Sequence, residues 1–195
     1  MRNPTSFTDP SDDRFDDQSA DRSVAGYSKK VCLLGELDVG KTSLVRRFVH
    51  DIYDEKVVGL NGVKVSRKTV AVMAQAGVAE LAMMLWDTGS SEEFSQIRAS
   101  YLRGAAGVVL VCDLTRPDTL EQAKGYAQIL RQELPHAKLI LAANKVDLVD
   151  QRRTGEAEIR SVAAALEIPF VLTSAKTGQG VEAIFRTLGS LLIGG

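Results

Sequence analysis

The sequence predicts a three-layer α/β domain whose mostly parallel sheet carries helices on both faces. Three observations carry that prediction. Short apolar runs recur at residues 31–34, 107–112, 139–143 and 168–172, as strands buried on both faces require. Helical stretches lie between and after them, long enough for the crossovers that join parallel strands. A valine-rich hairpin adds one antiparallel edge strand.

The elements follow in order. Residues 1–28 are rich in Asp, Ser and Arg, with Asp12-Asp13 and Asp16-Asp17 among single arginines and no period of two or 3.6. Such a segment buries too little surface to offset its ordering entropy, so we expect a disordered acidic and polar tail. The domain then occupies residues 29–195. Val31-Cys32-Leu33-Leu34 is the first strand, ended by Gly35, and helical spacing follows with Leu44, Val45, Phe48 and Val49 on one side. Residues 63–72 and 78–86 form the hairpin around Gln75-Ala76-Gly77. Arg116-Pro117 starts a helix at residues 118–132, since proline suits a first helical turn. Two more helices are expected at 156–166 and 180–192. No internal repeat and no second domain emerge.

Composition excludes several classes. The 195 residues fit one domain plus a tail, and 24 basic against 25 acidic residues leave a formal net charge of -1. No overall basic field is offered to nucleic acid. The two cysteines, Cys32 and Cys112, sit in apolar runs and read as buried reduced thiols. No apolar stretch approaches a membrane span and no secretory signal opens the chain, so a cytoplasmic protein is expected.

Gly35-Glu36-Leu37-Asp38-Val39-Gly40-Lys41-Thr42 fits G-x-x-x-x-G-K-[ST] between a buried strand and a helix. Glycines let such a loop curl until backbone N–H groups converge on phosphate oxygens, and the helix N-terminus adds partial positive charge. Lys41 reaches the β- and γ-phosphates in this pattern, and the Thr42 hydroxyl binds Mg²⁺. Kinases, ATPases and GTPases share the loop, so the nucleotide must be chosen elsewhere. Two later strands end in polar tips at the sheet's ligand-binding edge. Asn144-Lys145-Val146-Asp147 follows one of them. The Asp147 carboxylate, an acceptor only, suits the paired donors of guanine N1–H and the exocyclic amine. The Lys145 stem can cover the base, and Asn144 can brace neighbouring loops. Thr173-Ser174-Ala175-Lys176 follows the other strand. There a small Ala175 lets a backbone N–H approach a base carbonyl, and Ser174 can hold the loop locally.

With these motifs in place, residues 29–192 resemble a Ras-superfamily small GTPase, closest to the Rab-like branch. The resemblance rests on Gly35 to Thr42, Trp86-Asp87-Thr88, Asn144 to Asp147 and Ser174-Ala175-Lys176. It implies a six-stranded mixed sheet, a GDP/GTP pocket with Mg²⁺, and two switch segments read by protein effectors and regulators. It places Asp38, Val39 and Ser43 with the phosphate-binding residues, Tyr53 against the guanine edge, and Asp87 beside Mg²⁺ through water.

The resemblance weakens where hydrolysis is performed. Leu60 stands where the family has a Mg²⁺-binding threonine, with Asn61 beside it, and leucine has no oxygen to offer. Gly89, Ser90 and Ser91 replace a small residue, a glycine and the glutamine that orients the attacking water. Ser91 is thus a degenerate water-positioning site, and Lys41 is the remaining catalytic group. Leu37 is bulky where most members carry a small residue. The chain ends Leu191-Leu192-Ile193-Gly194-Gly195, so no covalent lipid anchor is expected. The expected function is a GTP-binding switch that hydrolyses GTP slowly. The alternative is a guanine-nucleotide-bound scaffold or docking module with little turnover.

Overall fold

A computed structural model describes residues 26–53, 63–74, 77–88 and 100–194. Strands β1 (Gly26–Leu34), β2 (Lys64–Ala74), β3 (Gly77–Asp87), β4 (Gly107–Asp113), β5 (Lys138–Asn144) and β6 (Phe170–Leu172) form one sheet. Its order is β2-β3-β1-β4-β5-β6. Among the described residues only β2 runs antiparallel, paired along its length with β3 from Lys64↔Asp87 to Ala74↔Gly77. This is the six-stranded mixed sheet that the sequence implied.

Helices α1 (Lys41–His50), α2 (Pro117–Glu133), α3 (Glu156–Ala165) and α4 (Val181–Ile193) divide between the two faces. Alternation along β1 shows why both faces need cover. Val31 and Leu33 pack into one core with Leu44, Val45 and Phe48 of α1 and Ile184, Phe185 and Leu188 of α4. Cys32 and Leu34 pack into the other with Leu120, Ala123 and Leu130 of α2 and Ile159 and Val162 of α3. Phe48 stacks on Phe185 with ring centroids 4.0 Å apart, tying α1 to α4.

Both cysteines are buried and free. Burial pushes the Cys32 thiol up to about 11 and the Cys112 thiol up to about 12, with the Asp113 charge adding to the latter. They behave as small hydrophobes. Among the described residues no helix is long and apolar enough to cross a membrane.

Two strands start two or more residues away from expectation. β1 begins at Gly26, ahead of the strand expected from Val31 and of the domain start expected at residue 29, because Gly26, Tyr27 and Ser28 pair with Glu80, Leu81 and Ala82 of β3. These three residues are exposed, so no hydrophobic pattern marks them. β6 spans only Phe170–Leu172, two residues short at its start. Pro169 cannot donate to a ladder, although its carbonyl accepts from the Leu141 N–H at 3.0 Å.

β1 lies between β3 on one side and β4 on the other, parallel to both. The chain winds away from it in two directions, so its carboxyl end is where such sheets form a crevice for ligands.

Candidate functional site

The loop after β1 curls at that crevice for a steric reason. A Cβ on Gly35 would lie 2.3 Å from the Val111 carbonyl oxygen, and one on Gly40 (φ 99°) would lie 2.3 Å from Asn144 Nδ2. Only glycine lets the loop pass so close to β4 and β5. Asp38 also holds a left-handed backbone at φ 61°, a conformation that side chains disfavour and that concentrates at sites. Lys41, the first residue of α1, is 6% exposed, and its Nζ donates to the Gly35 and Glu36 carbonyls at 2.7 Å each. A buried ammonium wrapped by its own loop makes a cationic floor for an anion. Thr42 and Ser43 follow, half-buried in the first turn of the helix.

β3 ends in Asp87, 3% exposed, beside Thr88, whose hydroxyl donates to the Leu33 carbonyl at 2.9 Å. β3 and β1 are adjacent here, with Leu33 opposite Asp87, so the carboxylate sits at the edge from which the phosphate loop departs. Tyr53 lies just beyond α1, half-buried against the core that includes Phe48.

β5 and β6 deliver the base-side residues. Asn144 donates from Nδ2 to the Val39 carbonyl at 2.8 Å. Its Oδ1 accepts from Thr173 Oγ1 at 3.2 Å and from the Ala175 N–H at 3.3 Å. The bracing expected of Asn144 is therefore present. The Ala175 N–H, expected to meet a base carbonyl, here points at Asn144 over a distance long for a hydrogen bond. Ser174, fully buried, donates from Oγ to Asp147 Oδ1 at 2.6 Å and accepts from the Thr177 N–H at 3.0 Å. Lys145 adopts a left-handed backbone (φ 66°), and Lys176 is exposed at the rim.

Two site residues escape a reading of motifs. Asp113 closes β4, is 2% exposed and lies 2.7 Å from Lys145 Nζ and 3.4 Å from Arg116 Nε. Its Oδ1 accepts from Thr115 N at 2.9 Å and Thr115 Oγ1 at 2.7 Å. Burial works to raise its pKa, but Lys145 and the Thr115 donors outweigh burial and hold the carboxyl below its ordinary value. Arg116 reaches on to the phosphate loop, donating from Nη2 to the Leu37 carbonyl at 2.5 Å. Asp113 thus links the base side through Lys145 to the phosphate side through Arg116. Its signal was a lone charge ending an otherwise wholly apolar strand. The Leu37 side chain is 41% exposed. Leu60, Asn61, Gly89, Ser90, Ser91 and Glu92 lie outside the described residues.

The structure therefore brings the ends of β1, β3, β4, β5 and β6 to one rim. Comparison with known proteins places the chain in a family. The profile of the Ras family matches residues 30–193. The chain is 34% identical to human Ras-related protein Rab-22A over 157 residues, 80% of this chain and 79% of that one. It is 33% identical to the GTP-binding protein ypt5 of Schizosaccharomyces pombe over 176 residues, 89% and 82% of the two. With Ras-related protein Rab-1A of Dictyostelium discoideum it shares 33% over 165 residues, 84% and 80%.

Proposed function

The chain belongs to the Ras family and is a small GTPase of the Rab-like branch, which binds GTP and hydrolyses it to GDP; we propose that the rim described above is where it does so. The observation that carries this placement is the Asn144 side chain, which ties the phosphate loop to both loops of the base side. Segments more than a hundred residues apart in sequence are thereby held together at one end of the sheet.

In this reading the curled backbone from Gly35 to Gly40, with Asp38 and Val39 between, receives the β- and γ-phosphates, aided by the positive end of α1 and Ser43. Lys41 offsets their charge and strengthens as negative charge moves during transfer. Asp147 accepts from guanine N1–H and its amine, the Lys145 stem and Lys176 flank the base, Tyr53 meets its edge, and Ala175 keeps the approach open. Thr42 would hold Mg²⁺ through its hydroxyl and Asp87 through water, both hard oxygen donors that suit the ion. When bound, the ion neutralises charge on the β- and γ-phosphates. The partners are effectors and regulators that respond to the γ-phosphate, and the protein works in the cytoplasm.

The test is guanine selectivity through Asp147. Asp147→Asn should weaken GTP by about 2–3 kcal/mol, the loss of charge-assisted hydrogen bonds, and favour xanthine nucleotides, whose carbonyl meets the new amide donor. Competition of GTP, xanthosine triphosphate and ATP on parent and variant reads this directly. Equal affinity of the parent for ATP and GTP would refute the assignment.

A further inference from the structure

Arg47 belongs to α1, yet its guanidinium leaves the helix for the loop after β6. Nε donates to the Ala175 carbonyl at 2.9 Å and Nη2 to the Lys176 carbonyl at 2.7 Å, across more than 120 residues of chain. Nη1 donates to the carbonyl and Oδ1 of Asp51 at 3.0 Å each. The side chain is 17% exposed; its bond to the Ala175 carbonyl is partly buried, and those to Lys176 and Asp51 lie at the surface. A lysine could not replace it, because only the planar fork presents several donors in fixed directions.

Peptide planarity carries the consequence further. A carbonyl and the N–H of the next residue share one rigid plane and point oppositely, so fixing one fixes the other. The Lys176 carbonyl shares its plane with the Thr177 N–H, which donates to Ser174 Oγ at 3.0 Å. Ser174 Oγ in turn donates to Asp147 Oδ1 at 2.6 Å. Arg47, one peptide plane and one hydroxyl thus form a continuous path to Asp147. The Ala175 carbonyl likewise aims the Lys176 N–H away from Arg47.

We propose that Arg47 is a positioning residue for base specificity: it fixes the Ala175–Thr177 peptide planes and, through Ser174, the Asp147 carboxylate. The proposal rests on the reading of Asp147 as the guanine reader. It makes α1 responsible for the base as well as the phosphates, since the same helix begins at Lys41.

The experiment measures dissociation of GDP and of inosine diphosphate, which lacks the exocyclic amine, from the full-length protein. The parent should hold GDP the more tightly. Arg47→Met keeps an apolar stem and removes the fork; it should release GDP at least tenfold faster and narrow the GDP-over-inosine preference at least fivefold. Arg47→Lys should do the same to a smaller extent, and decides the matter if the methionine variant does not fold. Adding Asp147→Asn to Arg47→Met should leave the inosine comparison where Asp147→Asn alone puts it, because both act on one contact. Equal loss of both nucleotides, preserving their ratio, would mean that Arg47 merely supports the fold, and would overturn the proposal. So would unchanged dissociation. A parent without preference for GDP would instead fail the guanine reading itself, before any question about Arg47.

Discussion

Asn144 and Val39 are 105 residues apart in the chain, and the side-chain amide of the first donates to the carbonyl of the second at 2.8 Å. One planar group thereby spans the phosphate loop and, through its oxygen, Thr173 and Ala175. Asn144 is 2% exposed, so water cannot replace it in any of these contacts. An amide suits the position because it presents donor and acceptor together; neither a carboxylate nor an apolar group does both.

Asn144→Ala should consequently destabilise the fold by about 2 kcal/mol or more, since buried partners are left unpaired. Asn144→Asp should do no better, because a carboxylate then faces the Val39 carbonyl. Urea unfolding reads both, and midpoints equal to the parent's would mean that the brace is idle.

Gly40 meets the same amide from the other side. Alanine there would bring Cβ to 2.3 Å from Asn144 Nδ2 at a left-handed φ of 99°, so either the loop or the amide must move. The backbone conformation alone costs an L-residue about 1–2 kcal/mol. Gly40→Ala should therefore lose GDP and GTP affinity at least tenfold. Combined with Asn144→Ala it should lose less than the two changes separately, because the second removes one party to the clash. Nucleotide titration of the four proteins measures the coupling; strict additivity would show that the two residues do not meet.

Asp113 should leave a signature in acid. Its carboxyl titrates below the ordinary 3.8 when folded, so the unfolded chain binds the proton more readily. The stabilisation from its contacts with Lys145 and Thr115 is full above that ordinary value. It is lost as pH falls through the lower folded value. Asp113→Asn removes this dependence. The stability gap between parent and variant, measured by denaturant unfolding from pH 6 to pH 2, should shrink steadily below about pH 4. A gap constant with pH would assign the side chain a role in packing alone.

How much of this could be read in the sequence depends on where each signal comes from. β4 was legible almost to the residue, because Gly107 to Cys112 is apolar throughout and both of its faces are covered. The start of β1 was not, since Gly26 to Ser28 are held by ladder bonds to β3 and bury little. Lys41, Asn144 and Asp147 stand out in the sequence because they lie in motifs. Asp113, Arg116 and Arg47 were not, because their roles arise from which loops the sheet order brings together. An arginine in a helix looks the same in sequence whether it faces water or a distant carbonyl.

Slow hydrolysis is the remaining expectation, and it concerns turnover, not binding. Phosphoryl transfer here depends on positioning water and offsetting charge, with little covalent chemistry from the protein. Ser91 is too short to orient the attacking water, and Leu60 has no oxygen to add to the metal shell. Leu37 is 41% exposed within the phosphate loop, where it would obstruct an arginine supplied by a partner. Intrinsic turnover in Ras itself is only ~10⁻⁴ s⁻¹, and this chain should stand at or below that scale. Leu37→Gly, Leu60→Thr and Ser91→Gln together should raise the rate. Each alone should do little, because groups that act as a unit are not additive. The carbonyl at position 37 can still accept from Arg116 in the glycine variant, so the loop keeps that tether. Single-turnover hydrolysis of bound GTP, followed over hours on the parent and the triple variant, decides the point. A parent rate well above ~10⁻⁴ s⁻¹ without a partner would show that another residue has taken over the lost roles.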